Sequence, residues 1–409
     1  MASSYRALFR LPGTIPLTTA GLLARMPLSM IGIGLITMVA TARGSYGYAG
    51  ALAAVFAVSS ALATPQVARL VDRFGQRRIV PIAVVVSLAA LAVLLITFRL
   101  DGPVPVIFIA AACAGLLPSM PALVRVRWVG IIRGERERTG KDAPELHTAF
   151  AWETVLDDLS FVLGPPISIG LSVGLFPEAG PLVGGVLLLL GAGWLLSQRS
   201  TEPRPGRQGV AGGPLSVLRI PAVWGMVVTL LTMGAILGTV DVASVAFAER
   251  QGIPAAASIV LAVYALGSAL SGVVFGTLTL WRPTRVLLRI GIVGTALTTL
   301  PLIWISTVAE LSITVFIAGA FFAPTMILAT KLIEESVPAP SLTEALTWST
   351  AGLAFGVAIG PAVAGPLIDE LGANGGFRVS LIAAAVLLVL LPVVARNDPR
   401  DGGAASSRT

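Results

Sequence analysis

Apolar residues along this chain neither alternate with polar ones nor keep to one helical face; they run unbroken for some twenty positions, stop at short polar loops and resume. Twelve such runs stand out, at 17–40, 47–67, 79–98, 105–124, 148–174, 181–197, 222–247, 256–280, 286–306, 311–330, 344–368 and 379–395. About twenty helical residues cross the hydrocarbon core of a bilayer, where the backbone must satisfy its own hydrogen bonds, so each run predicts a transmembrane α-helix. The first run follows Arg6 and Arg10 but is too long for the apolar part of a signal peptide and lacks a persuasive cleavage site, so it is read as a mature helix.

Composition narrows the class further. The chain is 55% hydrophobic and 12% charged, about half the charge of an ordinary soluble domain. That excludes a disordered chain, and the single Cys113 excludes a disulfide scaffold. Of the 28 basic residues, only Arg43, Arg99, Arg250 and Arg378 fall in the loops of one side and Arg25 lies within the first span; the rest fall on the other side. Positive charge stays cytoplasmic, so both termini are expected inside a cell (plasma) membrane. The same bias and anionic lipid account for the net charge of +7 without a nucleic-acid partner.

The chain also repeats. Residues 198–221, with Pro203, Pro205, Gly209, Gly212, Gly213 and Pro214, read as a linker between halves. Residues 55–62 resemble 263–270, Pro118 and Met120 resemble Pro324 and Met326, and Trp152 with Gly164 and Pro165 resembles Trp348 with Gly360 and Pro361. Three matches in order around one linker predict a duplicated six-helix unit. The expected fold is all-α, twelve transmembrane helices in two pseudo-symmetric bundles: 1–197, a cytoplasmic linker at 198–221, 222–396, and a tail at 397–409.

Between spans two and three stand Ala68, Asp72, Arg73, Gly75, Gln76, Arg77 and Arg78, a stretch that resembles the loop signature G-x-L-a-D-r-x-G-r-k of the major facilitator superfamily, with Ala68 for the first glycine and Gln76 for one basic residue. In the second half the corresponding residues 277–285 keep Arg285 but have Leu280 and Pro283 at the Asp and Gly positions. The resemblance extends through the spans, the linker and the paired halves, and is nearest to twelve-helix drug/proton antiporter-like members. It implies that Asp72, Arg73, Gly75, Arg77 and Arg78 form a gating loop, in which Asp72 at a helix end pairs with Arg73, Arg77 or a neighbouring helix terminus. The antiporters' G-x-x-x-G-P-x-x-G-G signature is cut short in span five, at Gly164 and Pro165, and fuller in span eleven, at Gly356, Gly360, Pro361 and Gly365. Small residues there predict close helix packing between the halves. No arginine lies between Pro105 and Val124, where such antiporters carry one in span four.

Charges inside spans are costly and face a cavity or a partner. Five stand out as candidates for proton or substrate coupling: Arg25, Glu153, Asp157, Asp158 and Asp241, with a structural ion pair as the other reading of Arg25, Glu153 and Asp157. Arg25 and Asp157 sit at similar depth from the cytoplasmic side, and Glu153 and Asp157 share a helix face, so an ion-paired cluster is expected. Asp158 points elsewhere, toward spans eight or ten. Asp241 sits alone in span seven, and the superfamily places spans one, four, seven and ten around the central cavity, making it the leading candidate for proton or substrate binding. His147, Glu334, Glu335 and Glu344 read as solvated residues at helix ends.

The function expected is secondary active transport of a small, amphipathic molecule by alternating access, as proton-coupled efflux, by a monomer among membrane lipids; uptake by the same fold is the alternative. No phosphate-binding G-x-x-x-x-G-K-[ST] loop is present, no cofactor is expected, and one histidine cannot build a zinc site. Gly170, Ser172 and Gly174 spell G-x-S-x-G inside an apolar helix with no strand before it, so a membrane-embedded enzyme is not expected. A non-transporting receptor or scaffold has little reason to keep intramembrane charges.

Overall fold

A computed structural model describes residues 6–139, 146–202, 220–277, 282–337 and 342–395. The linker from 203, the tail at 397–409 and the side chains of Asp72, His147, Asp158, Glu334 and Glu344 lie outside the described residues. The helices are α1 (Thr14–Arg43), α2 (Tyr46–Phe74), α3 (Gln76–Arg99), α4 (Val104–Ala114), α5 (Met120–Thr139), α6 (Leu146–Gly174), α7 (Ala179–Ser197), α8 (Pro221–Arg250), α9 (Ala256–Thr277), α10 (Thr284–Leu297), α11 (Val308–Ser336), α12 (Leu342–Leu371) and α13 (Ala373–Ala395). Among the described residues there is no strand, and eleven helical stretches are long and apolar enough to cross a membrane. The chain is a multi-pass, all-α membrane protein.

Span four departs from expectation. In place of one helix over 105–124, α4 ends at Ala114 and α5 begins at Met120. Pro118 lacks an N–H and disfavours a helical residue before it. The freed acceptors find partners: Ser87 Oγ donates to Ala114 O at 2.5 Å and Thr64 Oγ1 to Leu117 O at 3.3 Å. Gly115 sets the break close against α2, because a Cβ there would stand 2.6 Å from Phe56 O.

Local signals fix the other ends. Gly44 closes α1 at φ 62°, its N–H bonded to Ala40 O, and Gly75 separates α2 from α3 at φ 89°. Both backbone conformations suit a residue without Cβ. Thr307 and Glu310 make a reciprocal capping box that starts α11.

Two compact units result, Met1–Gly44 with Val55–Gly209 and Ser45–Ala54 with Val210–Thr409. In the first, α1 is the most enclosed helix, packed on α7 and α6, while α3 packs on α4 and α7. In the second, α8 is the enclosed helix, packed on α12 and α13, while α9 packs on α11. Spans one, five and six in one unit thus pair as spans seven, eleven and twelve do in the other. A core of Met226, Leu230, Met233, Leu288, Ile292 and Leu387 fills the second unit.

Candidate functional site

Arg25 lies midway along α1 and is 3% exposed. Its Nε donates to Gly21 O one turn back at 3.0 Å. NH1 donates to the Glu153 carbonyl and to Asp157 Oδ1, each at 3.0 Å, and NH2 pairs with the Glu153 carboxylate. The expected cluster therefore forms. Two members were not expected in it: Trp128 Nε1 donates to Glu153 Oε1 at 2.8 Å, and Arg125 NH2 pairs with Asp157 Oδ2 at 2.7 Å. Both come from α5, in residues that had read as a basic loop.

The cluster is dry at one end and wet at the other. Glu153 and Trp128 are fully buried, whereas the Asp157 and Arg125 side chains are 24% and 38% exposed. Two guanidiniums face two carboxylates with each oxygen bonded, which makes an ion group tolerable inside an apolar bundle. Trp152, one residue before Glu153, meets Phe9 edge-on at 5.2 Å between ring centres.

Asp241 is different. It is half-buried in α8 and, among the described residues, makes neither a hydrogen bond nor an ion pair. Tyr264 of α9 lies within Coulombic reach, its ring edge-on to Phe322 at 6.1 Å. Tyr264 borders a void of about 20 Å³ that Val240, Thr295 and Phe322 also line. That volume admits a water. Among the described residues, Thr295 Oγ1, whose residue borders the void, is buried without a hydrogen-bond partner, as are Thr239 Oγ1 and Ser244 Oγ in α8.

The expected loop is a single-residue turn at Gly75, with Arg73 in the last turn of α2 and Arg77 and Arg78 in the first turn of α3; there Arg77 binds Glu202 twice, through its backbone N–H at 3.2 Å and its guanidinium at 3.7 Å. Arg73 lies over the Phe74 ring at 5.0 Å, and Arg73 and Arg78 are exposed. Gln76, the residue that departs from the signature, is buried and accepts Arg127 Nε at 2.8 Å. Arg127 NH1 also donates to Leu195 O at 2.7 Å, Gln198 O at 3.1 Å and Thr201 Oγ1 at 3.1 Å. Burial pushes the Arg127 pKa down to about 10 against the opposing pull of Glu202, so the guanidinium keeps its charge at pH 7. Arg127→Met is expected to cost about 3 kcal/mol, read as a lower thermal midpoint, because it strips the donor from several carbonyls at once.

The signature glycines seat helix against helix within a unit. Gly164 of α6 lies on Ser29 of α1, and Gly356 and Gly360 of α12 lie on the Leu231 and Ala235 carbonyls of α8. Pro361 packs on Gly238 and Gly365 on Tyr46.

The pattern of the Major Facilitator Superfamily matches residues 17–312 and 254–409. The chain belongs to that superfamily. As a member it is a transporter of small molecules and not an enzyme. No curated protein matches the chain. Solved structures share its fold: the nucleoside transporter NupG at 14% identity (TM-score 0.68, covering 94% of this chain and 99% of that one) and a POT family transporter in complex with 5-aminolevulinic acid at 13% identity (0.67, 95% and 96%). The human organic anion transporter MFSD10 (TETRAN) is similar at 12% identity (0.61, 94% and 100%).

Proposed function

We propose that this superfamily member is a proton-coupled secondary transporter that exports a small amphipathic molecule across the cell membrane, with both termini cytoplasmic, by moving one six-helix half (1–197) against the other (222–396). Asp241 is the proton site. The observation that carries this reading is its isolation: Glu153 and Asp157 are answered by Arg25 and Arg125, whereas Asp241 has no ionic partner among the described residues. A carboxylate inside a span that no cation occupies is free to take up and give up a proton during a cycle, which is what coupling to a proton gradient requires. The loop of Asp72, Arg73, Gly75, Arg77 and Arg78 braces one conformation, and its tie to Glu202 supports that role. The carboxylate of Asp158 is an additional coupling candidate. Export is the direction that the resemblance to antiporter-like members implies; the span-eleven glycines themselves serve to seat α12 on α8.

The test is proton flux in proteoliposomes, with a pH-sensitive dye inside and a panel of amphipathic amines, anions and neutral compounds outside, under gradients of both signs. Asp241→Asn is expected to abolish gradient-driven flux while the protein stays folded, and Asp157→Asn to retain coupling at reduced stability. Coupled transport by Asp241→Asn at the wild-type rate would falsify the assignment, and flux only in the opposite sense would make the protein an uptake carrier.

A further inference from the structure

Two guanidiniums meet Asp157, and they are engaged unequally. Arg25 commits every nitrogen to α1 and α6. Arg125 makes one bond among the described residues, from NH2 to Asp157 Oδ2 at 2.7 Å, and its side chain is 38% exposed. Its Nε and NH1 are left open to a second anion. Arginine binds planar oxyanions such as carboxylates and sulfonates through these N–H groups.

The bond to Asp157 also fixes where the open cation stands. Asp157 lies well inside span five, where an exposed charged pair faces water and not lipid. Helix α6 is exposed along two strips. Val155 and Leu159 form one, wholly apolar, as contact with lipid requires. Asp157 and Phe161, one turn apart, form the other, which at about 100° per residue lies almost opposite the first. Phe161 is 57% exposed, so the hydrated face joins a guanidinium with open donors to a bare aromatic ring. We propose that this face recognises the cargo and that the cargo is an aromatic organic acid, with its anionic group on Arg125 and its apolar body on Phe161. Asp157 is then the internal competitor: it pairs with Arg125 in the empty protein and, when the acid binds, keeps Arg25 while yielding part of its hold on Arg125. The inference deepens the transport reading above by naming the substrate class, and rests on it for what the bound acid is there to do. Both helices belong to the first unit.

Equilibrium dialysis tests the class without a gradient. The probes are naphthoate, naphthylmethylamine and naphthylmethanol, which share a ring system and differ in charge, set against the protein in nanodiscs with empty nanodiscs as the blank. Naphthoate is expected to bind at least about tenfold more tightly than either analogue. Arg125→Gln should weaken it about tenfold, and Arg125→Lys by less, since lysine keeps the charge without the planar group. Phe161→Leu should weaken it several-fold. Asp157→Asn should tighten it several-fold by removing the competitor, a sign that damage to the fold would not produce. Phe161 is exposed, so Phe161→Leu carries the test should the arginine variants fail to fold. Equal retention of the three probes, no retention of naphthoate, wild-type affinity in Arg125→Gln or Phe161→Leu, or weaker binding by folded Asp157→Asn overturns the site. Asp241 takes no part in this equilibrium, so loss of the proton assignment would leave these affinities untouched and the two readings fail separately.

Discussion

Glu153→Ala is expected to destabilise the protein by about 3–5 kcal/mol, enough to lower its thermal midpoint in detergent by many degrees. The loss comes from what remains. Arg25 would keep its charge on a guanidinium 3% exposed, with Asp157 alone to answer it, and the buried Trp128 N–H would lose its acceptor. Glu153→Gln, which keeps an oxygen for Trp128, should fall between alanine and wild type. A double replacement, Arg25→Met with Glu153→Leu, should recover most of the stability, since apolar residues of similar size can stand in for a buried pair. If the single variant melts within a degree of wild type, water reaches Arg25 and the cluster is looser than its bonds imply.

The second large effect concerns the seam between α8 and α12. Gly234, Gly238, Gly352, Gly356 and Gly360 alternate across it so that each helix lays its backbone on the other: a Cβ at Gly238 would stand 2.5 Å from Val357 O, at Gly360 2.5 Å from Ala235 O, and at Gly352 2.6 Å from Val227 O. At Gly356 it would overlap Leu231 O outright. Carbonyl oxygens in helices cannot step aside, so Gly356→Val must push the two most extensively paired helices of the unit apart. Almost no folded protein should be recovered by size-exclusion chromatography. Gly32→Ala is the control. Nothing lies within 4 Å of a Cβ at Gly32, and this change should fall within about 0.5 kcal/mol of wild type. Normal recovery of Gly356→Val would mean that the seam opens freely.

Much of this was legible in the order of residues, for identifiable reasons. Uninterrupted apolar runs of about twenty residues marked the spans because in lipid the backbone must bond to itself, and a run without alternation does so as a helix. Equal depth along neighbouring helices brought Arg25 to Asp157. Span four was misread because hydropathy counts side chains and is blind to a freed carbonyl, and only Pro118 with Gly115 hinted at the break. Reading a loop after Val124 hid Arg125 and Trp128, which three-residue spacing on a continued helix turns toward α6. Span eleven's glycines were seen, but their partners were not, since a glycine's neighbour is another helix's backbone and leaves no mark in sequence.

One consequence concerns membrane voltage. Arg25 and Arg125 cancel Glu153 and Asp157, so shifting that group through an electric field performs no net work however far it travels. A lone ionised Asp241 would be subject to about 2.3 kcal/mol for a full crossing at 100 mV. Any electrogenic character of the carrier should then enter through α8, leaving the four-charge group electrically silent.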